Sequence, residues 1–391
     1  MGSPYDVAAY TGYVYPNETV IPWGMLIVVY PYLTGLVAGT FTVSSLYQVF
    51  GFQSLKPVAH LALLSSLCLM IFVPVPLLLH LGHPERAFNA VITPHVTSAM
   101  AIFGYAAGLC IILLMIENWF VFRPYIVQQA QREKGILKWF YRSLTLGSYD
   151  VSEVAMRYDR QWIHALSILG IPVACGLAVY SGFLFGSLKS REWWSSDLMP
   201  PIFLLSAIVS GTALLIVLYV LSCRLRKTLL AEDCMKTMAY VLWSFLILAL
   251  ALEGLEFGSM IYKAREGIEI IKEFVYGRLF VPFWILQLGI GAIAPILLLS
   301  WLFLRKTSGK ILLVGITACA LMALLEVLMM RYNVIIGGQE ISKTGKGLLE
   351  FPWVIFGQEG VLTATGVFVA PFILLSVIVR VFPPWNDKPS H

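Results

Sequence analysis

Charge is what this chain has least of. Asp, Glu, Lys and Arg make up 13% of its 391 residues, against 59% hydrophobic ones, where a soluble domain carries about 25% charged residues. So sparse a supply cannot wet a surface. That excludes an ordinary soluble globular protein and makes the bilayer the main solvent. Histidine is scarce as well, at 6 residues. No apolar window holds the internal His–His pair that a two-haem cytochrome b needs; His60 and His164 could form one pair at most and read more simply as helix-end hydrogen-bonders. The 6 cysteines form no CxxC and lie mostly in or beside apolar runs. This argues against iron–sulfur or structural zinc ligation and against a disulfide framework. There is no Walker loop, nucleophile elbow or HExxH, hence no sign of soluble-enzyme chemistry. Residues 1–20 are polar, with Tyr5, Tyr10, Tyr13, Tyr15 and Pro16, and lack the positive stretch of a cleavable signal peptide. The net charge of +5 does not mark a nucleic-acid binder, because Lys and Arg sit in short loops without forming a continuous basic face.

What is present in quantity is apolar sequence of membrane-spanning length. Windows fall at 22–50, 57–82, 98–122, 161–186, 199–223, 237–262, 279–304, 311–331 and 361–381. They predict an all-α fold: a single polytopic domain over 1–391, a transmembrane bundle of about nine helices, ten if the aromatic stretch 345–358 also spans. Lys and Arg fall unevenly. Arg86, Lys189, Arg191, Lys263, Arg265, Lys272, Arg278, Arg331, Lys343 and Lys346 lie on one side. The majority lie on the other, including Arg123, Arg132, Lys134, Lys138, Arg142, Arg224, Arg226, Lys227, Arg305 and Lys306. The richer side is expected in the cytoplasm, leaving the amino terminus outside and the carboxyl terminus inside. In the long loop expected over 123–160, the stretch Tyr125 to Leu144 reads as an amphipathic helix lying on lipid. Gly35 with Gly39, Gly182 with Gly186 and Gly254 with Gly258 are small-xxx-small pairs, which predict close helix packing.

Ionisable residues inside such windows cost about 2.5–3.5 kcal/mol each on insertion scales, so each needs a reason. Glu253 and Glu256 share a face of the sixth window, and Glu326 and Arg331 lie near the end of the eighth. His164 lies in the fourth. The topology brings the two glutamates, Glu326, the loop Gly82-His83-Pro84-Glu85-Arg86, Ser98 and Trp23 toward one outer-leaflet region. Two carboxylates close together in a low dielectric favour holding a proton between them. The competing readings are a structural hydrogen bond for each carboxylate and boundary snorkelling for Arg331.

Five stretches, in order, resemble the NrfD/PsrC family of membrane quinone-reactive subunits, over roughly residues 20–382. They are Trp23-Gly24 with Tyr32-Leu33-Thr34-Gly35-Leu36-Val37-Ala38-Gly39; Leu81-Gly82-His83-Pro84-Glu85-Arg86 with Ser98-Ala99-Met100; Tyr180-Ser181-Gly182, Trp194 and Phe203-Leu204-Leu205-Ser206-Ala207 with Gly211; Phe283-Trp284 with Gly289, Gly291 and Pro295; and Arg331-Tyr332-Asn333-Val334-Ile335-Ile336-Gly337-Gly338-Gln339. The last, with Ser342-Lys343-Thr344-Gly345, is similar to the longer HybB/DsrP-type members. The resemblance implies a core of two four-helix bundles and an exchangeable quinone, menaquinone by expectation, with no haem or iron–sulfur cluster on this chain. It also implies a periplasmic ferredoxin-like iron–sulfur partner, with a cytochrome or catalytic subunit beyond it. Shorter members carry Asn and His in the first helix, where this chain has Trp23, Tyr30, Tyr32 and Thr34. On that basis Trp23, Tyr30, His83, Arg86 and Ser98 are expected at the quinone head, with Glu253, Glu256 or His83 exchanging protons. Glu326, Arg331 and His164 are expected behind them. The alternatives are a secondary transporter, with Pro74, Pro76 and Pro172 breaking helices, a haem b anchor, or a passive anchor for partner subunits.

Overall fold

The computed structural model describes residues 21–93, 95, 98–191, 193–263, 268–343 and 347–385. The readings of residues 1–20, Arg265, Thr344, Gly345 and Lys346 lie outside the described residues. Among those described, nine helices are long and apolar enough to cross a membrane. They are α1 (Met25–Gln48), α2 (Gln53–His80), α3 (Ala101–Arg132), α4 (Glu153–Gly186), α5 (Met199–Arg226), α6 (Glu232–Tyr262), α7 (Phe280–Leu304), α8 (Gly309–Glu340) and α9 (Val361–Val381). The protein is a multi-pass, all-α membrane protein.

Two expectations change at the ends of these helices. The region 123–160 is mostly helical: α3 runs on to Arg132 and α4 begins at Glu153. The separate amphipathic piece is therefore only Gly135–Leu144. The reason is local. Arg123, 3% exposed, donates from Nε and Nη2 to Asp159 at 2.8 and 2.6 Å and from Nη1 to the Asp150 carbonyl. This pair fastens the end of α3 to the start of α4. The chain breaks afterwards, at Gly135, whose φ of +64° glycine alone adopts cheaply. The stretch 345–358 is not a tenth span. Its described residues hold no helix, and Ile341 bridges Leu348 in a short antiparallel contact.

Packing is ring-like. Helices α1, α2, α3 and α4 touch in sequence and close on one another, and α5, α6, α7 and α8 do the same. The two four-helix bundles meet through α1 against α5, α4 against α5 and α1 against α8, and α9 lies along α1 and α2. Glycine makes the seam possible. A Cβ at Gly39 would strike the Ala207 carbonyl and Gly211, one at Gly211 would strike Gly39, and one at Gly35 would sit 3.5 Å from Ala207. Likewise Gly182 and Gly186 admit the Met199 and Ser196 carbonyls, at 2.8 and 2.7 Å from a Cβ. The third pair behaves differently: among the described residues nothing lies within 4 Å of a Cβ at Gly254 or Gly258.

Alternating spans define two faces. At the face where α1 begins, Trp23 exchanges hydrogen bonds with the Gln339 side chain. There too Arg191 donates to the Gln339 and Ile341 carbonyls, and His80 pairs with Glu359. At the opposite face Tyr141 donates to the Val381 carbonyl, and Thr237 to Ser54.

Candidate functional site

The second bundle is splayed at one end. Helices α6 and α7 pack together chiefly through the half of α7 that runs from Ala294 to Leu304. There Trp243 donates to Ser300 at 2.9 Å, and Tyr240 stacks on Phe303 with centroids 4.2 Å apart. Toward the Trp23 face α7 changes character. Phe280–Ile293 is a 14-residue π-helix, and α8 carries a second π segment at Asn333–Gly337. Such segments are normally single turns and cluster at functional sites. Both widen the rungs where α6 and α7 part, and a cavity of about 390 Å³ lies in the gap.

Its wall is largely apolar. Trp193, Phe257 and Phe283 form a triangle of rings with centroids 5.4 to 6.4 Å apart. Met199, Ile202, Leu250, Met260 and Met330 add further apolar surface. Four polar side chains interrupt it: Glu253 and Glu256 from α6, Gln287 from the first π segment and Asn333 from the second. Three of them are wired in order. Asn333 Nδ2 donates to Gln287 Oε1 at 2.7 Å, and Gln287 Nε2 donates to Glu253 Oε2 at 2.9 Å. That direction of donation leaves Asn333 Oδ1 and Glu253 Oε1 as buried acceptors without a partner among the described residues, and Trp284 Nε1–H is a buried donor in the same position. Native interiors rarely leave such atoms unmet. Three of them lie around one cavity, where they can accept from or donate to polar groups of a ligand.

Behind the cavity sits a second charged group. Glu326 is 2% exposed, and α7 approaches it closely because residue 291 is glycine: a Cβ there would lie 2.5 Å from the Glu326 Cβ. Arg331, 1% exposed, does not snorkel to the membrane boundary. Its guanidinium lies 3.6 Å from the centre of the Phe203 ring, and its Nη2 donates to Ser206 Oγ at 2.8 Å. Among the described residues it forms no ion pair, yet it faces both Glu326 and Glu253 within electrostatic reach. Leaving a guanidinium in the core without an adjacent anion is costly, so its charge acts on the two carboxylates at longer range.

The sequence-derived set therefore divides. Glu253 and Glu256 line the cavity, and Glu326 and Arg331 lie behind it. The others lie elsewhere. Trp23 stacks on Trp194 at 5.4 Å at the junction of the bundles. Tyr30 is buried in the first bundle, edge-on to Phe103 at 5.1 Å, its hydroxyl without a partner. His83 is exposed and hydrogen-bonds Glu85 at 2.9 Å, and Arg86 is exposed beside it. Ser98 begins the helix of α3 and makes no side-chain cap. His164 contacts the Gln48 carbonyl at the opposite face. Sequence reasoning passed over Gln287 and the role of Asn333. Neutral amides do not ionise, so a reading keyed to charge in apolar runs does not single them out, although both sit in stretches that carry the family resemblance.

The build is that of a helical membrane protein with a cavity inside its second bundle, and no metal-ligand cluster lies among the described residues. The family model described as polysulphide reductase, NrfD, matches residues 15–342, and the chain belongs to that family. It is 33% identical to a selenate reductase subunit of Mesobacillus selenatarsenatis, over 94% of this chain and 87% of that one. It is 26% identical to a putative dimethyl sulfoxide reductase membrane subunit of Halobacterium salinarum, over 77% and 66%. It is also 26% identical to an Hdr-like menaquinol oxidoreductase integral membrane subunit of Archaeoglobus fulgidus, over 71% and 62%.

Proposed function

We propose that this chain is the membrane subunit of a multi-subunit respiratory oxidoreductase and exchanges electrons between a membrane quinone pool and a partner subunit. The second-bundle cavity would take the quinone head. The three buried, unpartnered polar atoms around an apolar cavity carry this reading. A quinol ring bears two hydroxyls on a flat apolar body, and Glu253 Oε1 and Asn333 Oδ1 are two open acceptors in an apolar, aromatic wall. Trp284 Nε1–H suits the carbonyl of the oxidised form. The cavity also falls within the roughly 300–1,000 Å³ of small-molecule sites.

The quinone supplies two-electron, two-proton redox chemistry when bound. The chain's residues do the rest. Trp193, Phe257 and Phe283 exclude water and hold the ring flat. Asn333 and Gln287 fix the orientation of the Glu253 carboxyl, which accepts a proton at Oε1. Arg331 turns a positive charge toward that carboxyl from behind, and Glu326 offers the next proton position. Menaquinone is the proposed quinone, in keeping with the name of the Archaeoglobus relative. The proposed electron partner is an iron–sulfur subunit at the outer, periplasmic face, linked to a cytochrome or catalytic subunit. The cytoplasmic membrane is the proposed location, with the amino terminus outside, the carboxyl terminus inside and coupling to proton movement. His83 and Arg86, on a surface loop away from the cavity, fall outside the head-binding set in this reading.

The test is quinol oxidation by the purified complex. Glu253→Gln should lower turnover about a hundredfold or more with the assembly intact, the lower end of what a positioned proton acceptor contributes. His83→Ala should keep most activity. Full activity in Glu253→Gln would contradict the assignment.

A further inference from the structure

The way into the cavity follows from the glycine pair that does not pack. Gly254 and Gly258 lie one turn apart on α6, both line the cavity, and both are exposed. Among the described residues nothing lies within 4 Å of where their side chains would begin. The other two small-xxx-small pairs admit neighbouring backbone; this one admits none. A glycine in a helix interior costs about 1 kcal/mol relative to alanine, and here no close approach offsets that cost. What the two glycines leave is a slot on the membrane-facing side of the bundle, between α6 and the π segment of α7. Trp193, 7% exposed, lines the cavity and belongs to the same buried apolar cluster as the short helix Ile268–Tyr276. The polar end is the buried one, where Asn333, 1% exposed, turns an unpartnered Oδ1 toward the cavity.

We infer that the slot across Gly254 and Gly258 is a lateral portal, through which a quinone enters headfirst from the lipid and leaves its isoprenoid tail lying between α6 and α7. This rests on the proposal that the cavity binds the quinone head. It adds a route, and it makes tail length a property the site reads: the ring is held inside by polar groups and rings, while the tail crosses an opening that larger side chains at 254 and 258 would narrow.

The experiment compares two ligands in the full chain, purified into lipid nanodiscs. Binding of phylloquinone, which has a long isoprenoid tail, and of menadione, which has none, is read from quenching of tryptophan fluorescence; Trp193 and Trp284 lie in the cavity wall. Gly254→Leu and Gly258→Leu should weaken phylloquinone at least tenfold more than menadione, and open space at both positions lets these variants fold. A melting temperature close to the parent's confirms that they do. Gly258→Ala should have a smaller effect in the same sense. Equal weakening of both ligands, or of neither, overturns the portal. Asn333→Leu separates this outcome from failure of the site itself: it should weaken both ligands, and if it weakens neither, the cavity does not hold the head.

Discussion

Glu253 and Arg331 illustrate how much a charge in an apolar run reveals before a structure exists. The cost of burying an ionisable group singled out both residues, and both lie in or behind the cavity. The same reasoning gave no warning of Gln287, which joins Asn333 to Glu253 through two hydrogen bonds. Nor could it tell that His83, in a motif of the family resemblance, would be exposed against Glu85. Motif order marks which segments matter; which side chain turns inward depends on helix phase, and the two π segments shift that phase locally. Single atoms carry two predictions. Asn333→Leu removes one acceptor and the donor to Gln287, and should weaken quinol binding about tenfold, the effect of one buried hydrogen bond worth about 1.4 kcal/mol. Trp284→Phe removes the N–H together with part of the indole ring, and should weaken the oxidised ligand more than the reduced one; titrating both forms against the purified protein checks it.

Helix spans were legible to within a few residues wherever apolar windows had sharp ends, as for α1, α5 and α9. They were misjudged where a helix left the membrane and continued in water, as α3 does to Arg132, because hydropathy reports the solvent and not the end of the helix. The Arg123–Asp159 pair holds that extension. Arg123→Ala would strand a carboxylate whose side chain is 10% exposed, and should cost about 3–5 kcal/mol, read as a lower melting temperature or failure to purify as a monodisperse protein. Glycine pairs test packing in the same assay. Gly211→Leu meets backbone of α1 and should lower the melting temperature sharply, since overpacking costs about 1–3 kcal/mol even where side chains can give way. Gly254→Ala, facing open space, should hold or raise it. The sequence pattern of Gly35 with Gly39 is the same as that of Gly254 with Gly258, and only the neighbouring helix distinguishes a packing glycine from a portal glycine.

Two four-helix bundles meet at a glycine seam, and the second opens where α6 and α7 part. The rival readings separate at this level. A haem-bearing anchor would show a Soret band in this chain purified without its partner subunits, and this account predicts none, because His164 contacts Gln48 at a helix end. A passive anchor would bind no quinone at all. The most direct measurement is to irradiate the full chain in nanodiscs with a photoreactive naphthoquinone and map the adducts by mass spectrometry. The account predicts adducts on peptides carrying Leu250–Ile261 of α6 and Phe283–Leu288 of α7, lost on competition with menaquinone. Adducts confined to the first bundle around Tyr30 and Phe103, or none that menaquinone displaces, would contradict it.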